Sequence, residues 1–154
     1  LLDILKGYVP VIIAQQHFSE LIYLSCLSAF LGHVFSIWLK FKGGKGVATY
    51  LGILFALSIQ LSFLFIFTWL TVSLIFRYSS VSSMFSSITV FVVSSIRETA
   101  LPILSIMIEK PSNSELSITS NISLILFIFF ILIIFTHRKN ISNLRNKTEQ
   151  KIKI

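Results

Sequence analysis

The sequence predicts an all-α fold, a polytopic bundle of transmembrane helices, and three observations predict it. Hydrophobic residues make up 55% of the chain and charged residues 12%, with a mean hydropathy of +0.87. Soluble domains carry about 25% charged residues, so too few are present to cover an ordinary aqueous surface. Apolar runs recur at about residues 8–14, 21–39, 47–59, 61–76, 81–96 and 122–136. Basic residues gather beside alternate runs. Residues 1–154 are expected to form one unit of about six spans, with 137–154 as a basic cytoplasmic tail.

Each run can be weighed against the roughly 20 apolar residues that cross a hydrocarbon core of about 30 Å. The first ends a helix that begins at or before Leu1; Leu1-Leu2-Asp3-Ile4-Leu5-Lys6-Gly7 reads as the interior of an element and has no signal-peptide features. Asp3 and Lys6 stand three apart, close enough to pair on a helix. The 21–39 run is long enough outright, and 61–76 stops at Arg77, a natural interface residue. The 47–59 and 122–136 runs need flanking residues, and a turn is expected near Ser58-Ile59-Gln60. Leu101 to Ile108 is too short to cross alone and is assigned to the interface. The polar stretch 109–121 reads as a surface loop.

Charge sets the topology. With the 40–46 loop inside, Lys40, Lys42, Lys45, Arg77 and six basic tail residues share one side, ten in all; the 97–121 loop holds Arg97 and Lys110, two. This is the positive-inside asymmetry. It also brings the 40–46 loop, the Arg77 turn and His137 to one face. The tail reads as an anchor near anionic lipid, and nucleic acid is not an expected partner because no soluble fold accompanies it. Cys26 is the single cysteine, which excludes an intrachain disulfide and a cysteine metal cluster.

The residues with chemistry lie beside these spans. Lys40-Phe41-Lys42-Gly43-Gly44-Lys45-Gly46-Val47-Ala48-Thr49 holds three of the six glycines and three of the thirteen basic residues. Glycines let backbone N–H groups converge on an anion, and lysines supply charge that tolerates varied phosphate geometry. The run lacks Walker spacing, and a tight turn with snorkelling lysines is the competing reading. His33 sits late in a hydrophobic span, where an ionisable group is costly unless it is paired or faces a cavity; a helix-packing contact to a carbonyl is the alternative. Ser79, Ser82, Ser83 and Ser86 share a helical face, which suits either chemistry or close helix packing. His137 and Asn140 share a face where the last span meets water, beside Arg138.

Together these segments resemble the bacterial acyl-phosphate:glycerol-3-phosphate acyltransferase family, PlsY. The resemblance runs through Gly32-His33-x-Phe35, Phe41-Lys42-Gly43-Gly44-Lys45-Gly46-Val47-Ala48-Thr49, Arg77-Tyr78 with its serines, and His137-Arg138-x-Asn140-Ile141-x-x-Leu144 with Thr148-Glu149. Asp3-x-x-Lys6-Gly7 fits the family's second helix. Ser36 stands where the family usually has Pro, and Lys147 where it usually has Gly. The family's first helix and first motif would precede Leu1, giving seven spans in a complete member.

The resemblance implies acyl transfer from a fatty acyl phosphate to glycerol 3-phosphate, giving lysophosphatidic acid for phospholipid synthesis. It implies no metal and no cofactor. His137, Asn140, Ser83 and Lys45 would be catalytic. Lys42, Gly43, Gly44, Gly46, His33, Ser80, Arg138 and Glu149 would bind substrate. The protein would be a monomer among the lipids of a bacterial inner membrane, its active site facing the cytoplasm. The rival reading is a non-enzymatic membrane protein, part of an anion transporter or an inactive fragment. A transporter would place paired polar groups near the bilayer midplane, whereas here they gather at one face.

Overall fold

The computed structural model describes residues 1–36, 40, 43–108 and 122–152. They form seven α-helices: α1 Leu2–His17, α2 Ile22–Val34, α3 Val47–Leu57, α4 Ile59–Phe76, α5 Ser79–Ile108, α6 Ile122–Thr136 and α7 Arg138–Arg145. A 3₁₀ turn, Ser19–Leu21, links the first two. Each predicted apolar run falls at least in part on a helix; the 21–39 run, expected to cross outright, is helical only as far as Val34, and 37–39 lie outside the described residues.

The breaks follow local chemistry. Ser58 ends α3 and caps α4, its Oγ accepting the Leu61 N–H at 3.5 Å. Arg77 ends α4 in the left-handed region (φ 60°), which turns the chain into α5 within two residues. Gly46 opens α3 at φ +80°, a conformation that glycine adopts without steric cost. Lys147, at φ 58°, follows the last helix with its backbone in the left-handed region.

Ile59–Phe76 and Ser79–Ala100 are long and apolar enough to cross a membrane by themselves, and α6 with α7 forms a third such unit bent by 56°. α2 and α3 are shorter; at 1.5 Å rise per residue, α3 reaches only about half the hydrocarbon thickness. Leu101 to Ile108 continues α5 rather than forming a separate interfacial piece. The 109–121 stretch and Lys42 lie outside the described residues.

An aromatic cluster joins the bundle. Tyr50 of α3 packs edge-on against Phe65 of α4 at 5.5 Å between ring centres, and against Phe129 of α6 at 5.4 Å. Phe30 of α2 meets the same Phe129 at 5.2 Å, and Phe91 of α5 meets Phe127 at 5.2 Å. α1 and α3 approach backbone to backbone. A Cβ on Gly7 would overlap the Thr49 carbonyl, and one on Gly52 would overlap the Ile4 carbonyl. Gln15 Nε2 donates to the Ala56 carbonyl at 3.0 Å, so the two helices run side by side in the same sense. Outward, the side chains are large and apolar: Phe63, Phe67, Leu70, Leu74 and Ile75 on α4 are all exposed, as a lipid-facing helix requires.

Candidate active site

Alternate connections bring the predicted segments to one end of the bundle. The start of α1, the end of α2, the Gly43–Gly46 loop, the α4–α5 turn, the end of α6 and the tail all meet there. Thr136 Oγ1 donates to the Lys45 carbonyl at 3.0 Å, which ties the glycine loop to the last span. Ile152 N–H donates to the Arg77 carbonyl at 2.7 Å, which ties the tail to the α4–α5 turn. The one-face arrangement expected from charge asymmetry is therefore present.

A cavity of about 700 Å³ opens among these elements. Asp3, His33, Gly44, Lys45, Gly46, Ser79, Ser83 and His137 supply its polar lining. Ile4, Val47, Leu51, Phe65, Ile66 and Leu70 supply most of its apolar wall. The lining changes along α3 and α4: Gly46 and Val47 stand at the polar end, while Leu51 lies one turn deeper, about 6 Å further in. Phe65 is buried at the wall and Leu70 is exposed to the bundle's exterior, so the apolar part borders the lipid face.

His137 is buried, and its Nδ1 lies 2.8 Å from the Ile133 carbonyl. A carbonyl only accepts, so Nδ1 carries the proton and Nε2 is left as an acceptor for the cavity. Burial pushes the imidazole below its ordinary value of 6.5, and the Lys45 charge adds to this against the opposing Ile133 bond and Glu149 charge. The ring is held neutral near pH 7.

Beside it a carboxylate joins three elements. Glu149 Oε1 accepts from Asn140 Nδ2 at 2.6 Å and from Ser80 Oγ at 3.0 Å. Desolvation opposes its ionisation, but the bonds from Asn140, Ser80 and Asn143 and the charge of Lys45 outweigh it and hold the carboxyl below its usual range. Ser83 is also fixed: its Oγ donates to the Ser79 carbonyl at 2.9 Å and accepts the Trp69 Nε1–H at 3.2 Å.

Six of the predicted residues thus line the cavity: His33, Gly44, Lys45, Gly46, Ser83 and His137. Gly43 lies behind it, against the His33 and Val34 carbonyls. Ser80, Asn140 and Glu149 form the bonded group beside it. Arg138 is exposed and places its guanidinium 4.5 Å over the Phe135 ring. Ser82 and Ser86 are buried and donate one turn back, to the Tyr78 and Ser82 carbonyls, the close-packing role. Sequence reasoning gave Asp3 only a partner in Lys6 and gave Trp69 nothing; both line the cavity. No group of three or more metal-ligating side chains occurs among the described residues.

The comparisons with known proteins decide the family. The glycerol-3-phosphate acyltransferase family profile matches residues 1–147. The chain belongs to the glycerol-3-phosphate acyltransferase family. The acyltransferase of Pelagibacter ubique (strain HTCC1062) is 44% identical over 154 residues, covering 100% of this chain and 70% of the relative. That of Wolbachia pipientis subsp. Culex pipiens (strain wPip) is 42% identical over 153 residues, covering 97% and 69%. Two crystal structures of PlsY, an integral membrane glycerol 3-phosphate acyltransferase, share the fold at 31% identity. Its glycerol 3-phosphate form gives a TM-score of 0.77 over 99% of this chain and 68% of that one. Its lysophosphatidic acid form gives 0.76 over 97% and 68%. This acyltransferase is accordingly an integral membrane protein.

Proposed function

We propose that the chain transfers a fatty acyl group from acyl phosphate to the primary hydroxyl of glycerol 3-phosphate, releasing lysophosphatidic acid and inorganic phosphate. The observation that carries this reading is the divided cavity: cationic and polar at the end of the bundle, apolar toward the lipid face. A water-soluble phosphate and a lipid chain can meet only at such a boundary.

Glycerol 3-phosphate occupies the polar end. Lys45 neutralises its phosphate, and the N–H groups of Gly44, Lys45 and Gly46 supply donors without side-chain bulk. The acyl chain lies along Leu51, Phe65, Ile66 and Leu70. An acyl phosphate is a mixed anhydride with a good leaving group, so direct attack suffices and the enzyme's work is alignment and charge stabilisation. The primary hydroxyl oxygen attacks the carbonyl carbon while donating to His137 Nε2. The carbon–oxygen bond to phosphate then breaks, and the hydroxyl proton passes by way of Nε2 to the departing phosphate. Ser80, Asn140 and Glu149 hold the His137 corner against α5. The reaction takes place on the cytoplasmic side of a bacterial inner membrane, where glycerol 3-phosphate is met from solution.

The test is product formation by purified protein in detergent, with palmitoyl phosphate, glycerol 3-phosphate and a chelator. Lysophosphatidic acid should form, and palmitoyl-CoA should not replace the phosphate donor. His137→Ala should lower kcat by about 10²–10⁴ with normal expression. Turnover with palmitoyl-CoA alone, or complete loss on chelation, would contradict the reading.

A further inference from the structure

Asp3 stands in the first turn of α1 and lines the cavity with His33, Gly44 and Lys45. Its Oδ1 meets two partners at once: Lys6 Nζ, one turn along the same helix, at 3.2 Å, and His33 Nδ1, in the last turn of α2, at 3.6 Å. The other ring nitrogen of His33 is placed just as closely, because a Cβ built on Gly44 would overlap Nε2. The imidazole therefore spans from a carboxylate on α1 to the backbone of the glycine loop. Its side chain is only 13% exposed, whereas that of Lys6 is 62% exposed. The His33 carbonyl lies against Gly43, so one residue supports two successive positions of the loop.

An imidazole has two nearly equivalent ring flips when nothing distinguishes its nitrogens. A carboxylate facing Nδ1 distinguishes them. The ring is turned with Nδ1 toward that carboxylate and Nε2 toward Gly44. We propose that Asp3 is a positioning residue for glycerol 3-phosphate: acting through His33, it sets the Gly43–Gly46 loop on which the substrate phosphate rests. This rests on the acyltransferase reading of the cavity. Lys6 lies outside this line of action; it is an exposed partner of the same carboxylate.

Steady-state kinetics on the purified protein test it, with both substrates varied. Asp3→Ala and His33→Ala should each raise KM for glycerol 3-phosphate about tenfold, the scale of a lost or misaligned charge-assisted contact. KM for palmitoyl phosphate should stay within about twofold, because a loop on the phosphate side does not touch the acyl wall. The double variant should be no worse than His33→Ala alone, since the effect of Asp3 passes through that ring. Lys6→Gln should behave as wild type. Where Asp3→Ala fails to fold, judged by its melting in detergent, Asp3→Asn carries the test, with KM for glycerol 3-phosphate raised severalfold. Additive penalties in the double variant, equal rises in both KM values, or an unchanged KM in folded Asp3→Ala or Asp3→Asn would overturn the inference. Absence of turnover by the wild-type protein would instead overturn the acyltransferase reading beneath it.

Discussion

The smallest decisive feature is the proton on His137. One bond, from Nδ1 to the Ile133 carbonyl at 2.8 Å, assigns donor and acceptor roles to the ring. Burial first, then the Lys45 charge, lowers its pKa from 6.5. A lowered value means the neutral ring persists to more acidic pH than a free imidazole would. The acid limb of kcat/KM, measured with palmitoyl phosphate from pH 5 to 8, should therefore have its midpoint below 6.5. Stability moves in the same sense. The unfolded chain takes up the proton first, so the contribution of His137 is full above 6.5 and falls as pH drops from there toward the lowered folded value. A limb centred above 6.5 would contradict this placement. His137, Lys45 and the loop glycines were legible in the sequence because residue type alone announces their chemistry. Asp3 and Trp69 were not, because each works through a partner distant in the chain. Asp3 meets His33 thirty residues later, and Trp69 meets Ser83 across the α4–α5 turn.

At the scale of helices, the site depends on how closely α1 lies on α3, since one carries Asp3 and the other begins at the glycine loop. Gly7 and Gly52 make that approach possible by removing side chains where each backbone faces the other. Gly52→Ala places its methyl on the Ile4 carbonyl, a backbone atom that cannot swing aside. Overpacking of this kind costs about 1–3 kcal/mol, and melting in detergent should show a clear fall in Tm. Gly32→Ala is the control, because a Cβ there meets nothing within 4 Å. Equal stability of the two variants would remove the close-approach account. The helices themselves were readable: apolar runs marked their bodies, and Ser58 and Arg77 marked their ends. Their lengths were less so. α2 stops at Val34, inside the 21–39 run, and Leu101 to Ile108 continues α5, because hydropathy reports which solvent a segment prefers and not where its hydrogen-bond ladder stops. Gly52 carried no periodic signal, and its meaning exists only against α1.

Across the whole molecule the polar groups gather at one end, and the charge count says which end. Ten basic residues were assigned to that side and two to the 97–121 loop. A reporter fused after Ile154 should therefore lie in the cytoplasm, and one inserted at Ser112 should lie on the opposite side. Both reporters on the same side would overturn the helix count. The bonds among the end groups have a further consequence, in time rather than in space. Glu149 is translated after every helix it joins: Ser80 belongs to α5, and Asn140 precedes it by nine residues. While the ribosome still shelters that segment, the earlier helices can be inserted and packed, yet the corner around His137 has no carboxylate to close it. A chain whose synthesis has not yet passed Glu149 thus lacks the carboxylate that joins Ser80 to Asn140, however far its helices have packed. A stop codon placed just before Glu149 should leave an inserted bundle that never switches on.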